Sequence, residues 1–367
     1  MLRLRGGRWT TLLGLLAPLT ACSSGSGPES VAPPPPPAEP RIVEGVNIDR
    51  LAELASAIMS GQFPDVHSTL VMRNGRMVFE RYYNGSGPDD VHTMQSVTKS
   101  FASALIGIAI AEGHIAGVDE AVLDFFPEWK EELSADPRRA AMRLEDVLTM
   151  RTGTDYHENG SAAPHWQLNA LATGWDRFWI ERPMVHDPGT FWQYDSGGAV
   201  AVSAFLHQRT GLHADGYADA TLFAALDIRQ RGWFTNAEGH VHTGGGLSLR
   251  ADDMIKLGQL YLQGGMWEGA QVIPADWVEV STRRHYTFSA FAPRVTGYGY
   301  YWWLMEPDPS GPGDQEIYAA FGARGQYIFV VPEHDLVVAI TGDARNGNDW
   351  ANPQAFLYTH ILPAIEE

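Results

Sequence analysis

Met94-Gln95-Ser96-Val97-Thr98-Lys99-Ser100-Phe101 opens a long apolar run. The run continues to Ala111 and stops at Gly113, a helix-ending residue, so a helix is expected from about Ser96. Three residues is just under one helical turn, which puts the Ser96 hydroxyl and the Lys99 amine on one face. At the helix start, free N–H groups and the positive dipole end favour developing negative charge on the Ser96 oxygen. A lysine held in an apolar interior has a lowered pKa and can take the serine proton. The chain has three lysines, Lys99, Lys130 and Lys256, so one in so apolar a helix needs a reason. Alone, the spacing also fits a snorkelling lysine beside a helix cap.

The fold reading grows outward from that helix. Ile48, Leu51, Leu54, Ala55 and Ile58 mark one helical face before it. Ser68 to Met72 and Met77 to Tyr82 flank Asn74-Gly75, a hairpin signal. Residues from about 115 to 290 read as mainly helical, with Leu144 to Met150, Ala199 to Arg209 and Ala251 to Gly264 as helices. Strands return at Tyr298 to Leu304, Ile317 to Phe321, Tyr327 to Val331 and Leu336 to Thr341. A helix over Pro353 to Leu362 follows. The expected architecture is α/β of the α+β type. One antiparallel sheet is built from both chain ends, and a helical second lobe leaves a cleft between them.

Two further stretches could reach that cleft. Thr190-Phe191-Trp192-Gln193-Tyr194-Asp195-Ser196 precedes a helix. Tyr194 there could be a general base and acid if Lys99 and nearby donors favour its phenolate, or simply a core aromatic. Tyr318 to Tyr327 contains Gly322-Ala323-Arg324-Gly325 between two strands. A backbone N–H at that edge and the N–H of Ser96 would form an oxyanion hole; an ordinary hairpin turn has the same sequence. His242-Thr243-Gly244 lies far upstream of the final hairpin and reads as a loop. His240-x-His242 lacks a matching ligand cluster.

With these stretches in order, the chain resembles the serine β-lactamase and D-alanyl-D-alanine carboxypeptidase superfamily, on its class C β-lactamase side. The resemblance spans about residues 45 to 362. It rests on Gln95 to Phe101, Leu148-Thr149-Met150-Arg151-Thr152-Gly153 and Pro188-Gly189-Thr190 leading to Tyr194. It rests also on Gly244-Gly245-Gly246-Leu247, Asp252-Asp253-Met254, Lys256-Leu257-Gly258, Gly297-Tyr298-Gly299-Tyr300 and Trp302-Trp303. The wording is most similar to 6-aminohexanoate-dimer hydrolases and related carboxylesterases. The resemblance implies Ser96 as nucleophile, Lys99 as its activating partner and Tyr194 as proton shuttle. It implies Ser96 and Ala323 as oxyanion donors, and Ser196, Gly322 and Arg324 beside the substrate. No cofactor or metal is implied. Two departures stand out. The usual Tyr-x-Asn is Tyr194-Asp195-Ser196, and no lysine follows Lys256 to hold a substrate carboxylate.

The remaining sequence concerns location. Arg3, Arg5 and Arg8 precede an apolar stretch from Trp9 to Leu19 that is too short to span a bilayer. Leu19-Thr20-Ala21-Cys22 then resembles a bacterial lipobox, and Cys22 is the only cysteine of 367 residues. The expectation is a signal peptide over 1–21, lipidation (palmitate included) at Cys22, and a Ser/Gly/Pro-rich tether over 22–45. The folded domain, 46–367, would then face the periplasm or cell surface on a membrane anchor. A formal charge of −18 argues against nucleic acid as a partner. The expected activity is hydrolysis of a small-molecule ester or small amide through an acyl-enzyme. The rivals are a D,D-carboxypeptidase or β-lactamase, and an inactive envelope-binding lipoprotein of the same fold. Trp166, Trp175, Trp179, Trp192, Trp302 and Trp303 read as mostly core, with one or two beside the acyl group in the cleft.

Overall fold

In the computed structural model, residues 41–366 are described apart from 312 and 346–350. The signal peptide, Cys22 and the tether up to residue 40 lie outside the described residues. The tether expected over 22–45 ends sooner, because Ile42–Val43 pairs antiparallel with Val46–Asn47. Helix α1 (Ile48–Met59) follows at once. Its N-cap Asn47 accepts from the N–H groups of Asp49 and Arg50, and Ile48, Leu51, Leu54, Ala55 and Ile58 are its buried face.

Strands β1 (Val66–Arg73) and β2 (Arg76–Tyr82) form the expected hairpin. Asn74 and Gly75 take φ of +53° and +71°, the positive pair a tight primed turn requires. The other strands of this sheet come from the chain's second half. They are β3 (Tyr286–Thr287), β4 (Val295–Tyr298), β5 (Trp303–Met305), β6 (Ile317–Gly322), β7 (Gln326–Val331) and β8 (Leu336–Gly342). The order is β3-β4-β5-β6-β7-β8-β1-β2, antiparallel throughout. Pairing of Ala339 with Leu70 welds the two chain ends into one sheet, as the sequence led us to expect.

The helix expected from Ser96 splits into a 3₁₀ turn (Gln95–Val97) and α2 (Thr98–Ala111). Every residue from Thr98 to Ala109 is buried, so α2 is a core helix enclosed on all sides, and Lys99 is held in the interior beside Ser96. Helix α3 (Ser196–Thr210) packs beside it and is buried from Ser196 to Leu206.

The expected boundaries of the helical lobe, 115 to 290, need two corrections. Helix α4 (Ala251–Leu262) belongs to the sheet layer. A Cβ on its Gly258 would stand 2.5 Å from Val337 and 2.6 Å from Ile328, so the bare backbone lets the helix settle on the sheet. Tyr286–Thr287 is the sheet's outer strand. The strand expected over Tyr298 to Leu304 is interrupted as well. Gly299 to Trp302 forms a turn, closed by Gly299 N–H to Trp302 O at 2.8 Å, with Tyr301 at φ +63°. That turn ties the sheet to the helices: Tyr300 N–H donates to Ser281 O, and Tyr300 OH donates to Glu145 at 2.8 Å. The final helix runs from Ala351 to Phe356 and widens over Leu357–Ile361.

A small sheet was not legible in the sequence. Leu247–Leu249 lies between His92–Thr93 and Arg231–Trp233. It carries the loop before Leu247 up to the start of α2, where Met94 N–H donates to Leu247 O at 2.8 Å.

Candidate active site

Ser96 sits in the 3₁₀ turn immediately after Gln95, whose φ of +47° is left-handed and costly for a side chain with a Cβ. The turn is over-determined. Gln95 Nε2 donates to Thr93 Oγ1 at 3.1 Å, and Thr98 Oγ1 donates to Gln95 O at 2.6 Å. The strained peptide thereby presents Ser96 at the cleft.

Lys99, 1% exposed, places Nζ 3.1 Å from Ser96 Oγ and 2.5 Å from Gly244 O. Burial pushes its pKa down to about 8, with the charges of Glu158 and Asp195 working the other way. At pH 7 a minor share, about a tenth, is therefore free amine, and the share grows through pH 8. In that form one N–H still donates to Gly244 O, while the lone pair is free to accept the serine proton.

Tyr194 is partly buried in the cleft wall, and Lys99 Nζ lies 4.9 Å from its ring centre. Burial first, and Glu158 second, push the phenol well above its ordinary value; a hydrogen bond with Ser96 opposes them. The expectation that Lys99 and nearby donors favour a phenolate needs correcting. The lysine meets the ring face, and desolvation dominates, so Tyr194 rests as a neutral phenol able to pass a proton on.

Asp195, which replaces no catalytic amide, caps α3. Its carboxylate accepts from Gly198 N–H at 2.9 Å, Thr152 Oγ1 at 2.8 Å and Trp179 Nε1 at 3.0 Å. Burial raises its pKa and these donors counter the rise. An aspartate just before a helix was the signal for this role. Ser196, the first residue of α3, lines the cleft together with Ser96.

The last element is the β6–β7 turn. A Cβ on Gly322 would collide with Met94 O and stand 3.1 Å from Gln95 Cβ. Glycine thus lets the end of β6 lie against the peptide preceding Ser96, and Ala323 lines the cleft beside it. Arg324 (φ +66°) and Gly325 (φ +91°) complete the turn. Gln326, fully buried, braces it: Nε2 donates to Gly342 O at 2.6 Å, and Gly342 N–H returns to Oε1 at 3.4 Å. Arg324 reaches the cleft, but Nη1 is 3.1 Å from Asp343, a carboxylate shared with Arg345.

Sequence reasoning missed one wall entirely. The loop at His242-Thr243-Gly244 is a loop as read, yet Gly244 O is the acceptor that orients Lys99. Thr243 Oγ1 pins the loop to Ala199 O at 2.7 Å. His242 Nε2 is 2.9 Å from Asn169 Oδ1, and Asn169 Nδ2 is 3.1 Å from His165 Nε2. His165 Nδ1 faces Glu158 Oε1 at 3.7 Å. With the asparagine oxygen accepting from His242 and its amide donating to His165, the second imidazole keeps its proton on Nδ1, toward the carboxylate. Burial, reinforced by Lys99, pushes His242 down to about 3, so it is neutral. No local motif marks Glu158, His165 or Asn169; the fold of their loops brings them to His242.

Two cavities meet at Ser96, Glu158 and Ala323. One, about 630 Å³, is mixed: Asn169, Ser196, His242 and Arg324 line it together with Trp166, Trp233 and Phe234. The other, about 330 Å³, includes Trp192, Tyr194, Phe291, Trp303 and Phe321.

With this geometry in view, comparison with known proteins is specific. A Beta-lactamase family model matches residues 51–355. The 6-aminohexanoate-dimer hydrolase of Paenarthrobacter ureafaciens is 26% identical over 350 residues, covering 90% of this chain and 84% of that protein. EstCE1, described as a hydrolase with promiscuous acyltransferase activity, superposes with a TM-score of 0.72 at 15% identity, over 87% of this chain and 99% of its own. The class C β-lactamase of Rhodobacter sphaeroides superposes with a TM-score of 0.61 at 18% identity, over 84% and 97%. The match to the family model across most of the folded chain, on a fold shared with these enzymes, means that the chain belongs to the β-lactamase family and is a β-lactamase-fold hydrolase.

Proposed function

We propose that this protein is a serine hydrolase that cleaves an ester or small amide through an acyl-enzyme. The observation that carries the reading is the buried Lys99 amine 3.1 Å from Ser96 Oγ, with a pKa near 8 and its second contact fixed on Gly244 O. Ser96 Oγ attacks the carbonyl as Lys99 takes its proton. The N–H groups of Ser96 and Ala323 hold the oxyanion. The proton passes through the Tyr194 hydroxyl to the leaving group, the acyl–heteroatom bond breaks, and the acyl group stays on Ser96. Water then enters, gives a proton back along the same path, and releases the acid.

Esters and small amides are favoured over cell-wall peptides and β-lactams. The latter carry a carboxylate, and this cleft has no lysine on its last strands. Arg324 is already ion-paired with Asp343, and the Glu158 carboxylate faces the reacting centre from both cavities. A missing charge-assisted hydrogen bond is worth about 1.5–3 kcal/mol, roughly tenfold to a hundredfold in specificity. The relative named for aminohexanoate dimers supports the amide side of the reading. A panel of p-nitrophenyl acyl esters, aminohexanoate dimers, D-Ala-D-Ala peptides and nitrocefin tests it. Highest kcat/KM is expected on an ester, because the linear dimer also carries a carboxylate on its leaving half; highest kcat/KM on nitrocefin or the peptide refutes the substrate assignment. The lipobox reading makes the enzyme a membrane-anchored exported lipoprotein, and Cys22→Ser should then release it from the membrane fraction.

A further inference from the structure

Both cavities have aromatic residues in their walls, but only the smaller one is lined by Tyr194 and a stack of rings around Trp303. Ser96 and Ala323 border both, as the reacting carbonyl requires. Tyr194 borders only the aromatic cavity. The group that receives the proton from Tyr194 departs on that side. We infer that the aromatic cavity takes the leaving group of the substrate, and that the preferred leaving group is an uncharged alcohol or amine bearing a ring. This rests on the acyl-enzyme reading above and deepens it. It also moves the aromatic wall, expected beside the acyl group, to the other half of the substrate.

The wall is built for a flat apolar group. Trp303 stacks within 14° of Phe321 at 5.5 Å, within 22° of Tyr194 at 5.8 Å and within 25° of Phe291 at 5.1 Å. These rings form a slab of roughly common orientation. Trp192 stands across it, 62° from Trp303 and 77° from Phe291, and closes one side. Phe291 is 45% exposed and stands at the mouth. An apolar cavity of about 150 Å³ is enough to hold benzene, so about 330 Å³ holds a one-ring or two-ring group. Offset or edge contacts with such a slab add to plain burial. Charge narrows the class further. Glu158 borders this cavity too, with its side chain 31% exposed and Oε1 turned toward His165. A leaving group carrying a carboxylate would meet the Glu158 side chain in a poorly solvated site and be rejected.

Benzyl and methyl esters separate the halves of the substrate, because their alcohols differ in size far more than in basicity. Benzyl acetate should exceed methyl acetate in kcat/KM by at least tenfold, the effect of burying one ring. Methyl phenylacetate, with the ring on the acyl side, should show no such gain. Trp192→Ala should cut the benzyl-to-methyl ratio to threefold or less. Phe291→Ala, at the exposed mouth, supplies the same readout if the first variant folds poorly. The ratio within each variant is the measurement, so general loss of activity does not enter it. A Trp192-dependent gain on methyl phenylacetate but not on benzyl acetate would overturn the assignment, as would equal turnover of all three esters. Turnover of none of them, together with no fluorophosphonate adduct on Ser96, would instead overturn the hydrolase reading itself, and turnover of none with the adduct present would overturn this inference alone.

Discussion

Replacing Lys99 by methionine should abolish activity and change stability in a pH-dependent way. The side chains are similar in length, so the core around α2 keeps its packing. In the folded protein Lys99 titrates near 8, against 10.5 when exposed. Below pH 8 the lysine is protonated in both states, and the folded state bears the full cost of a buried ammonium, about 3 kcal/mol. Between pH 8 and 10.5 the unfolded chain holds the proton and the folded chain does not, so wild-type stability rises with pH. Above 10.5 both states are neutral and the cost is gone. Methionine has no such term, but it leaves Gly244 O without its donor, a loss of about 1–3 kcal/mol. The two effects nearly cancel at pH 7, with the variant equal to or slightly more stable than wild type. At pH 10.5 the variant should be the less stable. The difference between the two proteins should swing by about 3 kcal/mol across that window, read by urea unfolding at several pH values. A constant difference from pH 7 to 10.5 would refute a depressed Lys99 and the role built on it. Activity of the variant should fall at least about a thousandfold.

Three other outcomes follow from the same geometry. In the wild type, kcat/KM should rise with pH and level off above about 8, because only the free amine of Lys99 accepts the serine proton; a flat profile from pH 6 to 9 would contradict this. Gly322→Ala should push the end of β6 away from Met94 and Gln95, lower kcat by about a hundredfold, as for loss of one oxyanion donor, and lower the urea midpoint as well, the overpacking costing about 1–3 kcal/mol. Asp195→Ala strands the donors of Thr152, Trp179 and Gly198 in the interior and should cost about 3 kcal/mol or more of stability, while Asp195→Asn, which keeps one acceptor, should cost less.

The fold was legible where local signals were strong and agreed with packing. Asn74-Gly75 set the first hairpin, and the apolar residues of α1 and α2 set their burial. Ser96 and Lys99 were legible because one helical turn joins them. The Gly244 carbonyl was not, because 145 residues separate it from Lys99 and only the small sheet at Leu247–Leu249 brings it near. Glu158, Asn169 and His165 stayed hidden for the same reason: their meaning is tertiary. The broken strand at Gly299 to Trp302 was misread because aromatic residues favour strands. Here their partners lie on helices, and a side chain at Gly299 would collide with Ser281 O. The Tyr194 phenolate was misjudged because its charge state depends on burial, which a motif does not report.

The central claim is a covalent acyl group on Ser96, and intact-mass analysis with peptide mapping after a fluorophosphonate reads it directly. The account predicts one adduct per chain, located on Ser96, and none on Ser96→Ala. It predicts also that Lys99→Met labels far more slowly than wild type. An adduct on another residue, or no adduct on a folded wild-type protein, would contradict the account; the second result would favour an inactive envelope-binding role for the same fold.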